Sequence, residues 1–268
     1  MSGPGFRLYW EVLRTTARRM STYRGATFAG VFTNTVFGFL IASILRAVFE
    51  QTGTIGSFDT TDAVTFTFLA QGLAMPVGMF GYTEMAERIQ TGEVAMDLCR
   101  PYDYQAWWGA AAVGRASFYS WARGIPPFLA GALVFDLRLP DAAWIWPAFV
   151  VSAFLAVGLG FAFGFLVQLT AFWITDVRGP NQLAWIAAGF LSGMFSTIVL
   201  FPAGLEAVAR ALPFAGMVQL PAEVFLGKHQ GFDLLGVFLF QAAWLAALLA
   251  LGRVVLARAV RKLVVVGG

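Results

Sequence analysis

Long apolar runs recur along the whole chain, at residues 27–48, 63–82, 107–135, 143–173, 183–201 and 234–256. A bilayer's hydrocarbon core is ~30 Å thick, and about 20 consecutive apolar residues cross it as a helix. Only 12% of residues are charged, against about a quarter in soluble domains. The chain therefore reads as a polytopic, all-α membrane protein. Its net charge of +3 does not point to nucleic acid, because the basic residues cluster beside the apolar runs, where they set topology. One cysteine, Cys99, and one histidine, His229, exclude an internal disulfide and a histidine-cysteine metal cluster. The first twenty residues are arginine-rich without an apolar core, so span 1 is expected to act as its own insertion signal.

Residues 1–26 read as an amphipathic helix. Phe6, Trp10, Leu13, Ala17 and Met20 recur at spacings of four and three, beside Arg7, Glu11, Arg14 and Arg18. That pattern suits a helix lying in the membrane interface, and equally one packed on a partner. Span 2 contains Gln71 and Pro76, and the proline predicts a kink or a local water site. Span 3 is interrupted by Arg115 and Arg123. Because charge at the bilayer centre is costly, it is expected to run along the interface and cross from about residue 124. Span 4 carries Gly158, Gly160 and Gly164, a spacing that lets helices approach closely. Residues 203–233 are broken by Pro213, Gly216, Pro221 and Gly227, and read as a re-entrant or interfacial helical pair with Glu206, Arg210, Glu223 and Lys228 at the water edge. Placing the N-terminus inside gathers Arg7, Arg14, Arg18, Arg19, Arg24, Arg88, Arg100, Arg178, Arg258, Arg261 and Lys262 on one side, against Arg138, Arg210 and Lys228 on the other. The positive-inside rule then predicts six spans with both termini cytoplasmic.

The longest polar interval, residues 83–106, lies between spans 2 and 3. It carries Glu84, Glu87, Glu93, Asp97 and Asp103 and reads as two short helices parted at Thr91-Gly92 and ended before Pro101. It is either a docking knob or a solvated loop. No phosphate-binding loop, serine-hydrolase elbow or intramembrane carboxylate is legible. The span cores hold only the amides Asn34, Gln71, Gln168 and Gln241, which are more often helix-helix hydrogen bonds than a path.

The sequence Ile89, Gly92, then Met96-Asp97-Leu98-Cys99-Arg100-Pro101, followed by Gln105, resembles the permease subunit of ABC-2 type transporters, as do Arg123, Ile125, Pro126 and Pro127 in the third span. The resemblance covers nearly the whole chain and implies a single permease domain over 1–268. It implies a multi-pass protein of the cell (inner) membrane, catalytically inert by itself, beside a cytoplasmic ATPase dimer that binds ATP and magnesium. A second permease, identical or paralogous, would complete the pair. The 83–106 segment would be the coupling helix, with Glu84, Glu87, Arg88, Glu93, Asp97, Arg100 and Pro101 at the ATPase contact. Asn34, Phe37, Phe68, Gln71 and Met75 would line a translocation path for an amphipathic small molecule, peptide or lipid-like cargo. The competing expectation is a gradient-driven carrier or channel that works without an ATPase.

Overall fold

A computed structural model describes residues 5–262. They form α-helices joined by turns, and among the described residues the only strand-like pairing is a bridge between Ile55 and Phe58. Helix α1 spans Phe6–Thr22, α2 Arg24–Thr52, α3 Thr60–Val77, α4 Glu84–Gln90, α5 Val94–Leu98 and α6 Tyr104–Tyr119. A π-turn at Ser120–Gly124 leads into α7, Ile125–Ala132. There follow α8 (Ile145–Leu169), α9 (Arg178–Leu191), α10 (Ala203–Ala211), α11 (Gln219–Phe225) and α12 (Gly231–Ala259). Three are long and apolar enough to cross a membrane: α2, α12, and α8 with its one-turn extension to Phe172.

Helix α3 is the axis. Its N-terminus is fixed by a reciprocal cap, in which the Asp62 amide donates to Asp59 and the Asp59 amide to Asp62. Nearly every side chain from Asp62 to Val77 is buried, because α2, α7, α8 and α11 surround it. Close packing here depends on absent side chains. A Cβ on Gly160 would collide with the Val77 carbonyl, and one on Gly114 with the Leu13 carbonyl. The first contact explains the expected small-residue stripe of α8. The second seats α1 directly on α6.

The stretch expected as span 3 is helical from Tyr104 to Ala132, with the π-turn at Ser120–Gly124, just before Pro126-Pro127, where the crossing was expected to begin. Arg115 is buried, and Arg123 reaches across to the Ala26 carbonyl in space left by Gly30. One expectation about local structure is corrected: span 5 is not one helix. It stops at Leu191, and residues 192–197 are irregular before a short turn at Ile198–Leu200. Helix α1 is amphipathic as expected, but its stripe is split. Met20 packs on Phe118 and Ala122, while Phe6 and Trp10 stand exposed.

Candidate functional site

The polar interval folds as α4 and α5, with Gly92 taking a positive φ of 80° between them. Its two faces differ. Met85, Ile89 and Val94 form an apolar underside against Tyr104, Trp108, Phe165 and Leu169 of α6 and α8. Polar ties reinforce the seat. Gln168, at the end of α8, accepts from the Met85 and Ala86 amides at 3.1 and 3.4 Å, which are unpaired donors of α4's first turn. The Gln90 side chain donates to the Thr175 carbonyl at 2.6 Å. Arg19 of α1 forks onto Glu84 at 3.1 and 2.9 Å. Displacing the knob therefore pulls on α1, α6 and α8 together.

The expected contact residues separate into two groups. Arg88 grips Asp97 through two hydrogen bonds of 2.7 and 2.9 Å, and Glu93 lies 3.0 Å away. The bonds to Asp97 hold the guanidinium charged, above its ordinary pKa. Asp97 is only 5% exposed, so it joins α4 to α5 from within. Glu87, Glu93, Arg100 and Pro101 are exposed, as is Met96, which sequence reasoning passed over and which is 64% exposed amid charged neighbours.

The path residues are not gathered into one lining. Asn34 donates to the Gln71 carbonyl at 3.2 Å, so both belong to the α2–α3 contact. Phe68 is fully buried against Phe39 and Phe135, and Met75 is half-buried. Phe37 faces outward instead. Beside Pro76 a cavity of about 30 Å³ is lined by Tyr82, Arg115, Gln168 and Trp185. It has room for a water.

The family model described as ABC-2 family transporter protein matches residues 33–267. The chain belongs to that family. It is thus an ABC transporter permease, a membrane transport component rather than a catalytic one. No curated protein matches the sequence.

At the end opposite the knob, this ABC-2 permease holds a polar network that sequence reasoning missed. Glu223, expected at the water edge, is 3% exposed. It accepts a two-pronged contact from Arg210 at 3.3 and 3.0 Å, a bond from Gln219 at 2.9 Å, and faces His229 at 3.0 Å. Gln219 repairs the break after α9: its side-chain oxygen accepts from the Ile198 amide at 3.0 Å, its amide exchanges with the Thr197 hydroxyl, and its backbone N–H donates to the Ser192 carbonyl at 3.1 Å. Nearby, Asp62 binds Arg138 at 2.6 Å and Lys228 at 2.5 Å, while Arg138 also reaches Asp59 at 2.7 Å. Burial opposes charge on His229, but its bonds to Glu223 and Asp233 lift its pKa above the ordinary imidazole value. Burial likewise opposes charge on Glu223, yet His229 and Arg210 hold its pKa below the usual carboxylate range. The signal was present as spacing: Glu206–Arg210, Gln219–Glu223 and His229–Asp233 are all four residues apart.

Proposed function

We propose that the chain is one permease of an ATP-driven exporter, and that α4–α5 is the coupling element seated on a cytoplasmic ATPase dimer. The observation that carries this reading is the knob's two-sidedness. Its apolar underside is clamped to α1, α6 and α8, and its outer face presents Glu87, Glu93 and Met96. A push on that face is transmitted to the helix ends without first compressing a soft loop. ATP and magnesium belong to the ATPase, and the cargo is an amphipathic small molecule, peptide or lipid-like compound.

In this reading the membrane is crossed six times, by α2, α3, α6–α7, α8, α9 with the turn after it, and α12. The segregation of the connections supports it. Arg19–Glu84, Gln90–Thr175 and Arg253–Asp103 join α1, the knob, the α8–α9 turn and the end of α12. Arg138–Asp59 and Lys228–Ser57 join the other turns to residues 203–233. The first set holds most of the arginines and is cytoplasmic by the positive-inside rule. Residues 203–233 are re-entrant. Gly216 and Ala211 accept from Gln241 and Trp244, which lie ~15 and ~20 Å along α12 at 1.5 Å per residue. The second permease faces the exposed row Phe28, Phe32, Val36, Leu40 and Ile44 of α2, together with Leu183, Ile186 and Phe190 of α9.

Buried Asp62 and Glu223 are the observation that favours a gradient-driven carrier. Both, however, are occupied by fixed cations, which leaves no free site for a transported proton. Gentle affinity purification of the tagged chain from its native membrane, with mass spectrometry of what remains bound, tests the choice. A stoichiometric ATPase supports the exporter. A chain that purifies alone and still moves cargo along an ion gradient overturns it.

A further inference from the structure

A cavity of about 380 Å³ lies where α1, the knob and α6 meet. That volume falls in the roughly 300–1,000 Å³ range of small-ligand sites. Arg19, Arg88, Arg100 and Arg115 line it, with Glu84 and Asp97 as its acids. The charges do not balance. Arg19 is taken by Glu84, and Arg88 by Asp97 and Glu93. Among the described residues Arg100 and Arg115 have no carboxylate within ion-pair distance.

Arg115 is the decisive group. It is 8% exposed, its guanidinium rests 4.3 Å over the Tyr82 ring, and its buried Nε has no acceptor. The indole N–H of Trp108, another lining residue and 9% exposed, also lacks one. Buried donors are ordinarily paired. Two unmatched cations and a free N–H around one cavity call for an anion with several acceptor oxygens. Phosphate has that chemistry, and arginine matches its geometry. The surroundings specify where the phosphate comes from. Trp107 and Trp108 line the cavity, and the neighbouring α1 exposes Phe6 and Trp10, a combination typical of headgroup depth.

We propose that this cavity binds the phosphate of an anionic phospholipid headgroup, with Arg100 and Arg115 as countercharges and the Trp108 N–H as a further donor. The lipid then fastens α1 to α6 and to the knob. This assignment does not depend on the partner ATPase or on the direction of transport.

The test uses the full-length chain in detergent, titrated with phosphatidylglycerol, with phosphatidylcholine, or with inorganic phosphate. Retained lipid is counted by intact-complex mass spectrometry, and thermal stability is followed in parallel. Phosphatidylglycerol is expected to be retained and to raise the melting temperature, whereas phosphatidylcholine does neither. Arg115→Gln and Arg100→Gln should each weaken retention roughly tenfold or more, the loss of a charge-assisted hydrogen bond. Trp108→Phe keeps the ring, removes the N–H and should weaken it less. Arg258→Gln, an exposed arginine on α12, should retain lipid like the wild type. Arg100 is exposed, so its variant keeps the test valid should Arg115→Gln fail to fold. Equal retention of phosphatidylcholine, wild-type retention by the Arg100 and Arg115 variants, or an equal loss in Arg258→Gln overturns the site. Stabilisation by inorganic phosphate with no retained lipid overturns the lipid source and assigns the cavity to a soluble phosphate compound.

Discussion

The two ends of the molecule use arginine in opposite ways. At the knob end Arg7, Arg14, Arg18 and Arg100 are exposed, in excess over nearby acids. At the other end every cation is tied to a carboxylate: Arg138 to Asp59 and Asp62, Arg210 to Glu206 and Glu223, Lys228 to Asp62. The few positive charges there are structural pins. Gln219, bonded in turn to Glu223, meets the backbone of the irregular stretch 192–197, which α-helical bonding cannot satisfy and which needs partners when removed from water. The first end remains open to a partner, while the second is closed upon itself.

The sharpest way to break that contrast is to remove the acid on which the second end converges. Glu223→Ala leaves Arg210 with Glu206 alone and deprives Gln219 and His229 of an acceptor. Removing one partner of a buried pair costs up to about 3–5 kcal/mol, and less where, as here, the remaining charge keeps a second partner. The variant should melt far below the wild type in detergent, measured by loss of the monodisperse species on heating. An unchanged melting temperature would show that the network is ornamental. Gln219→Leu is the milder form. It keeps the volume but withdraws the acceptor from the Ile198 amide, and an unmet buried donor costs about 1–3 kcal/mol. A loss as large as that of Glu223→Ala would mean that the broken span depends on Gln219 more than on the ion pairs.

The contrast was half legible in the sequence. Apolar runs and charge placement foretold α2, α8 and α12, and Thr91-Gly92 and Pro101 marked the limits of the two knob helices. Those signals are local, set by period and by backbone chemistry. What escaped is non-local. Arg115 and Arg123 looked like interruptions because their compensation, Tyr82 and the Ala26 carbonyl, comes from distant parts of the chain. Asp97 looked like a surface charge because its contact with Arg88 exists only once the Gly92 turn is made. Glu223 looked wet because hydropathy cannot reveal that α11 is packed against α8 and α3.

A smaller effect separates the ends by pH. Glu223 and Asp233 raise the His229 pKa, and a raised histidine stabilises the fold fully below its unfolded value of 6.5 and loses that contribution as pH rises through the folded value. Glu223 acts in the reverse sense: its lowered pKa contributes above the ordinary carboxylate range and is lost as pH falls through the folded value. Stability from this end should therefore peak at mildly acidic pH. His229→Gln should remove about 1 kcal/mol on the acidic side and less at alkaline pH, a hydrogen-bond-sized effect. Melting curves at several pH values check this, and a pH-independent difference between variant and wild type would refute it.

The smallest expected change in stability lies on the knob's outer face, and there coupling and folding can be separated. Reversing the charge of Asp97 is a poor probe, because it breaks the Arg88 fork inside the knob before it touches any partner. Met96→Ser is cleaner. Met96 is 64% exposed, so its loss should shift stability by no more than about 0.5 kcal/mol. If the outer face docks an ATPase, an exposed methionine among charges is its apolar anchor, and truncating an anchor costs more than about 1.4 kcal/mol, tenfold in affinity. The measurement is ATPase recovery on affinity purification of the variant, beside its melting temperature. Lost recovery at unchanged stability marks a surface made to be covered. Full recovery, or recovery lost only along with stability, would make the knob end as self-contained as the other.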